Sequence, residues 1–325
     1  MLPIIISGGS YPDNWKTMQD KNNENFIRFD TAKLSVVDWD NGKIIDTINY
    51  ISPDIQRNPS MMFKVCDITP NSIITVTNSE IVEFDRKTYE VIKTVSDNSF
   101  NDLHAVKKIN EFYYLVNTGL EILQIINENG LIVKEINMAT TATWDKFSKS
   151  IDYRKIGSTK PHEMHINNVF NVGDDIFVTR LSLKQAININ NEKDIFDIEV
   201  GLPHVGVVFN EKVYFTTTNG HVIVFDANTR KKISLTDVNQ LLVKGGYKPD
   251  GWCRGILPLS ENKILVGYTK LRHTKFKEFL SWTKNLGNVT APTRVIEVDI
   301  SKNSITKEMV FPGDKGFAIF SILRF

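Results

Sequence analysis

The chain repeats itself every 40 to 50 residues or so, a period that for short strands points to propeller blades. His104–Gly119 (HAVKKINEFYYLVNTG), His165–Leu181 (HINNVFNVGDDIFVTRL), His204–Gly220 (HVGVVFNEKVYFTTTNG) and Arg254–Lys270 (RGILPLSENKILVGYTK) share one layout. In each, a polar or charged residue opens a strand, a turn with Asn, Gly, Asp or Glu follows, and a second β-rich strand ends in Thr, Asn or Arg. Phe63–Asn78 (FKVCDITPNSIITVTN) fits the same frame with a hydrophobe at the opening position. Two more strands follow, as in LEILQIINENGLIVKEI, with a hairpin signal at Asn129-Gly130 and a weaker one at Asp226-Ala-Asn228. Each unit is therefore expected to be a four-stranded antiparallel blade.

Five blades are complete. The termini supply a sixth, with Gly316–Phe325 as inner strand, Pro3–Ser7 next to it, and Leu34–Asp38 and Lys43–Ile48 outside. The expected fold is all-β, a six-bladed β-propeller over residues 1–325 as one domain, closed by pairing of the N- and C-terminal strands. Blade 2 opens weakly, and the third strand of blade 4 near Ile187–Ile198 is indistinct. Hydrophobic residues at 41% and charged residues at 24% suit a soluble chain with a large core. A net charge of +1 lacks the basic bias of a dedicated nucleic-acid binder. Cys66 and Cys253 are too few for a disulfide framework and read as small buried hydrophobes. No secretory leader and no membrane span is evident, which places the protein in the cytoplasm.

In an up-and-down blade, the links between blades and the loops between second and third strands share one face. The long insertions Gly8–Lys33, Ala139–Pro161, Leu242–Trp252 and Lys270–Pro292 all belong to those two classes, and long loops in a compact domain are commonly functional. His104, His165, His204 and Arg254 start four consecutive inner strands on that face, where side chains converge on the axis. Asn117, Arg180, Thr217 and Thr269 end the adjacent strands there, Asn167 shares the side of its strand with His165, and Trp252 adjoins Arg254.

Two chemistries are open to such a cluster. His104, His165 and His204 could form an open site for a divalent metal (zinc, manganese or iron), with His162 as a weaker fourth ligand, since neutral imidazole is a frequent metal ligand. Alternatively, a histidine serves as general base or nucleophile while Arg254 and Arg180 hold an anion by forked hydrogen bonds. Asn117, Asn167, Trp252 and Thr269 are the candidate substrate contacts. His221 and His273 are expected at the surface. The insertions mix Lys or Arg with aromatics, as in Trp144-Asp-Lys-Phe and His273-Thr-Lys-Phe-Lys-Glu-Phe, the latter with helical spacing. They read equally as a rim that attracts an anionic or sugar ligand and as short amphipathic elements packed on the propeller.

The ordered strings Leu103-His104, Val116-Asn-Thr-Gly119, His165-x-Asn167, Pro203-His204, Cys253-Arg-Gly-Ile256 and Val266-Gly-Tyr-Thr-Lys-Leu-Arg272 resemble a bacterial six-bladed propeller family without an assigned activity. The resemblance runs from about Asn101 to Phe279 and implies an association with glycan biosynthesis. At Ala105 the family tends to carry Asp, so Asp102 is the carboxylate left to orient His104. More distantly, the axial His and Arg layout is similar to arylsulfate sulfotransferase and virginiamycin B lyase propellers. Lactonase-type propellers generally centre calcium on carboxylates and Asn, and this ring is poor in carboxylates, which ranks that reading lower. The functional expectation is an enzyme (lyase, hydrolase or group transfer) acting on a small anionic or glycan-derived substrate. The competing class is a non-catalytic propeller that binds a ligand or protein partner through the same face.

Overall fold

Short turns bring each strand back on its predecessor. Asn210 and Glu211 both take positive φ (46° and 58°), the handedness that matches strand twist in a two-residue hairpin. The computed structural model describes residues 2–10, 29–53, 61–247, 251–270, 291–311 and 317–325. Blade 1 holds β1 (Pro3–Ser10), β2 (Thr31–Asp38) and β3 (Lys43–Tyr50); blade 2 holds β4 (Asp67–Ile68), β5 (Ser72–Val76), β6 (Ile81–Asp85) and β7 (Val91–Val95). Blade 3 is β8 (Leu103–Ile109), β9 (Phe112–Asn117), β10 (Ile122–Asn127) and β11 (Ile132–Asn137). Blade 4 is β12 (Ile166–Val172), β13 (Asp175–Arg180), β14 (Gln185–Asn188) and β15 (Asn191–Asp197). Blade 5 is β16 (Pro203–Phe209), β17 (Lys212–Thr217), β18 (His221–Asp226) and β19 (Lys232–Asp237). Blade 6 is β20 (Trp252–Pro258), β21 (Lys263–Thr269), β22 (Arg294–Asp299) and β23 (Ser304–Val310), and β24 (Ala318–Arg324) returns to blade 1. Each sheet is antiparallel, and the six form the ring of a six-bladed β-propeller.

Blade 1 has the order β24-β1-β2-β3, so the ring closes by pairing β24 with β1, from Ile4 opposite Arg324 to Gly9 opposite Ala318. The inner strands β4, β8, β12, β16, β20 and β24 line the axis. Val65 of the segment before β4 pairs in parallel with Ala105, and Cys66 N donates to Ser321 Oγ at 3.2 Å. Blade 2 is weak at its inner strand for a traceable reason. The amides of Phe63, Lys64 and Val65 donate to Gly8, Val76 and His104 respectively, so three sheets share this segment and only Asp67–Ile68 remains as β4. In blade 4, β14 lies over Gln185–Asn188 and β15 over Asn191–Asp197, which resolves the indistinct stretch near Ile187–Ile198.

Apolar side chains fill the wedges between blades. Phe170, Phe177, Phe196, Phe215 and Phe225 join blades 4 and 5, with ring centroids 5.0–6.1 Å apart. Such offset and edge contacts add to the burial of large apolar area. Cys66 and Cys253 are buried and unpaired, and burial pushes the Cys66 thiol up to about 11, so both act as small hydrophobes.

On the face opposite the long links, no described loop exceeds five residues. The described parts of the insertions include α1 (Thr143–Lys146), a 3₁₀ turn at Tyr153–Lys155, and α2 (Val238–Lys244), all in links between blades. The aromatics of Ala139–Pro161 turn inward: Tyr153 is buried with Leu120 and Ile122, and Trp144 and Phe147 pack beside it. This link is thus a packed element of blade 3. The helical spacing after His273 lies outside the described residues, as do parts of the Gly8–Lys33 and Leu242–Trp252 insertions. No described helix is long and apolar enough to cross a membrane.

Candidate functional site

The side chains at the axis owe their direction to a recurring β-bulge. In blade 3, Leu103 opposes Asn117 and Ala105 opposes Val116, which leaves His104 as the extra residue. In blade 5, Pro203 opposes Thr217 and Val205 opposes Thr216, leaving His204. In blade 4, Asn167 and Asn168 share the gap between the Ile166–Arg180 and Val169–Val178 pairs. In blade 6, Arg254 and Gly255 occupy the gap between Cys253–Tyr268 and Ile256–Val266. Blade 1 repeats the device between Ser7 and Gly8, with Phe320 extra. A bulge bends the strand and re-aims its side chain, and five blades use one at the same level.

A bulge also takes carbonyls out of the ladder, and a buried carbonyl needs a donor. Each junction supplies one from the preceding blade. Ser7 Oγ donates to Lys64 O (2.6 Å), Val65 N to His104 O (3.0 Å) and Thr118 Oγ1 to Ile166 O (2.6 Å). Asn167 Nδ2 donates to Pro203 O (3.2 Å), Thr216 Oγ1 to Arg254 O, and Thr269 Oγ1 to Ile319 O (3.1 Å).

The bulge residues His104, His204, Arg254 and Phe320 meet at the axis, joined there by His165 from just before β12. The ring of His104 lies 5.3 Å from that of His165 and 6.3 Å from that of His204, and His204 lies 5.9 Å from Phe320. The Arg254 guanidinium is stacked between Phe320 (4.2 Å) and Trp252 (4.6 Å). His104, His204 and Arg254 are all buried, and solvent reaches the cluster beside Asp102 and His165. His165 stands one residue before β12 at φ 50°, held by its amide on Glu121 Oε1 at 3.0 Å.

Lys64 is the member that the repeat comparison missed. It is fully buried, its Nζ donates to Asp102 Oδ1 at 2.6 Å, and it lies 3.5 Å from His104 Nδ1. The signal was present: Phe63-Lys64 aligns with Leu103-His104, Pro203-His204 and Cys253-Arg254 once the frame starts one residue earlier. Asp102 does stand beside His104, with Oδ1 at 3.7 Å from Nδ1.

Hydrogen-bond partners assign the histidine protons. A carbonyl only accepts, so the 2.8 Å contact of His104 Nδ1 with Asp102 O puts the proton on Nδ1 and leaves Nε2 bare. Thr159 spends its hydroxyl proton on Gly119 O at 2.6 Å, so His162 Nε2 donates to Thr159 Oγ1 at 3.2 Å. His162 Nδ1 then accepts from His165 Nδ1 at 2.8 Å, and His165 Nε2 is also bare. Both nitrogens of His162 are thereby engaged.

Burial lowers all four imidazoles below their ordinary range; the cations Lys64, Arg254 and Lys160 add to it at His104, His204 and His162, and at His165 the neighbouring His162 imidazole, with which it would share positive charge, does the same. His165 is pushed down to about 3. Burial tends to raise the Asp102 carboxyl, but Lys64 and then His104 outweigh it and hold it well below the carboxylate range. The buried Lys64 ammonium is lowered by desolvation, against which Asp102 acts. Among the described residues, the centre at neutral pH thus brings together neutral imidazoles, the Lys64 and Arg254 cations and the Asp102 carboxylate.

The remaining candidates lie elsewhere or are structural. Arg180 faces Gln185, whose carbonyl, with the amide suitably turned, accepts from Nε at 3.1 Å, and Glu192 on the outer strand β15 is its charged neighbour. Asn117 is fully buried and bonded to Ser99 O and Gln124 Oε1. Thr217 donates to Asn219, and Thr269 serves the junction already described. His221 begins β18, 3.9 Å from Asp237; His273 lies outside the described residues. Among the described residues no three His, Cys, Asp or Glu side chains are grouped so as to hold a metal ion. Comparison with protein-family models and with curated proteins finds no match.

Proposed function

We propose that the axial cluster binds a small anionic or glycan-derived substrate and acts on it by histidine acid–base chemistry, as a cytoplasmic lyase, hydrolase or group-transfer enzyme. The observation that carries this reading is the pairing of two cations, Lys64 and Arg254, with two imidazoles whose Nε2 atoms are bare. The cations favour an anion, and they disfavour a further metal cation in the same centre. The reading therefore leaves the three-imidazole metal site aside. The bare nitrogens accept a proton from a substrate hydroxyl or carbon acid, or accept its hydroxyl as a hydrogen bond. His165 can hand its Nδ1 proton to His162 Nδ1 when Nε2 takes one up.

The test is an assay of the purified protein against uronic-acid, sulfated and phosphorylated sugars, with His104→Ala and His165→Ala beside the native chain. Loss of a positioned base is worth about 10²–10⁴-fold in rate. A drop of that size with the β-sheet circular dichroism intact supports the enzyme. Binding without turnover by the native chain assigns the face to ligand recognition alone.

A further inference from the structure

The two imidazoles whose Nε2 atoms are bare reach that state by different routes. His104 is fixed directly, because its Nδ1 donates to a carbonyl, Asp102 O, at 2.8 Å. Among the described residues the His165 ring has one hydrogen-bond partner, the His162 ring, with the two Nδ1 atoms 2.8 Å apart. Burial lowers both rings below their ordinary range, so both are neutral at neutral pH and a single proton lies between those nitrogens. A neutral imidazole nitrogen either gives or takes a hydrogen bond, so the pair by itself leaves the place of that proton open.

The place is decided two groups away. Gly119 O, in the loop between β9 and β10, only accepts, and it takes the hydroxyl proton of Thr159 at 2.6 Å. The other oxygen near that hydroxyl, Asn101 Oδ1 at 3.4 Å, is an acceptor too, because Asn101 Nδ2 donates to Tyr153 O and Ile156 O. Thr159 Oγ1 is left to accept, and His162 Nε2 donates to it at 3.2 Å. The His162 proton is thereby committed at Nε2, its Nδ1 must accept, and the His165 proton is held at Nδ1. Blade 3 also grips the backbone at this point. The buried Glu121 accepts from the amides of Met164 and His165 and keeps His165 at φ 50°, a region uncommon for residues other than glycine.

We propose that Thr159 and His162 are positioning residues of the axial site: a one-way chain of hydrogen bonds that ends on Gly119 O fixes His165 in the tautomer whose Nε2 is bare. The use of that nitrogen as a base rests on the proposed acid–base reading; the tautomer does not. Without the chain, His165 can carry its proton on Nε2, and an acceptor of the site becomes a donor.

Long-range proton–nitrogen correlation spectra of the native chain with isotope-labelled histidine read the tautomer directly, with His165→Ala to assign the signals. Native His165 should show a protonated Nδ1 and a bare Nε2. Thr159→Val keeps the side-chain shape and removes the acceptor for His162, so the form of His165 protonated at Nε2 should appear. Thr159→Ser should restore the native pattern. His104, fixed by its own carbonyl, should be unchanged in both variants, which shows that the axial fold is intact. A native His165 protonated at Nε2 overturns the proposal, whether or not the variants fold. A folded Thr159→Val chain that keeps the native His165 signals overturns it as well. The assay against sugars fails independently. The expected tautomers without turnover support the hydrogen-bond chain and overturn the acid–base reading, whereas turnover by a chain whose His165 is protonated at Nε2 does the reverse.

Discussion

At the scale of single residues, the histidine cluster is a store of unprotonated imidazole. His104, His162, His165 and His204 are all held below their ordinary range by burial, and His165 lies at about 3. In the unfolded chain each imidazole titrates near pH 6.5 or so. Between that value and its lower folded value, the unfolded state binds more protons, so stability is intact above about pH 7 and falls as the pH drops. Each fully shifted imidazole contributes a slope of up to about 1.4 kcal/mol per pH unit. Urea midpoints should therefore decline steadily from pH 7.5 to pH 5.5, a range in which ordinary carboxylates stay ionised. A midpoint that holds constant across that range would mean that the imidazoles are solvated and the cluster is open. His104, His204 and Arg254 were legible in the sequence because they mark equivalent repeat positions, whereas the register puts Asn167 at that position in blade 4 and His165 where blade 3 has Asp102. Lys64 was not, because its blade was framed on Phe63. Arg180 shows the converse error: its place at a strand end was read correctly, but a long side chain can turn along its own blade, and this one turns to Gln185.

At the scale of strands, the bulge and its donor form one unit repeated around the ring. The strands themselves were readable from β-rich runs and turn residues. The bulges were not, because a bulge is a relation between two strands and leaves no fixed mark in either. The donors differ in kind: a serine or threonine hydroxyl at four junctions, an amide side chain at one and a backbone N–H at another each meet a carbonyl at or beside the start of the next inner strand. Thr118 and Thr216 are fully buried, so replacement by valine keeps the shape and removes only the donor. Thr118→Val and Thr216→Val should each lower stability by about 1–2 kcal/mol, the range for a lost hydrogen bond that leaves a buried acceptor unpaired. Chemical denaturation with unchanged m-value measures it. If both variants match the native chain, the bulge carbonyls are satisfied in another way and the stitching account is wrong.

At the scale of the whole ring, closure depends on which chain segment completes a blade. Blade 1 takes its inner strand β24 from one end of the chain and β1, β2 and β3 from the other, so unravelling either end breaks a hydrogen-bonded sheet. The pairing was foreseeable from the terminal β-rich runs, since a propeller without it would leave an unpaired inner strand. Nothing in this arrangement is peculiar to blade 1. Phe325 N donates to Pro3 O at 3.1 Å, so a short turn can join these two ends. Gly173-Asp174 is an exposed turn between β12 and β13. A permutant joined at the first site and opened at the second takes β12 from its new C-terminus and β13, β14 and β15 from its new N-terminus, which recreates the same closure in blade 4. It should fold to the same circular dichroism spectrum, since new ends at exposed turns are well tolerated. A permutant opened instead in the link between β15 and β16 has six complete blades but no sheet shared between its ends. Its ring is held shut by face-to-face packing and the junction donors alone, and its thermal midpoint should fall clearly below that of the first permutant. Equal midpoints for the two would show that blade packing closes the ring by itself, and that the shared sheet adds nothing to it.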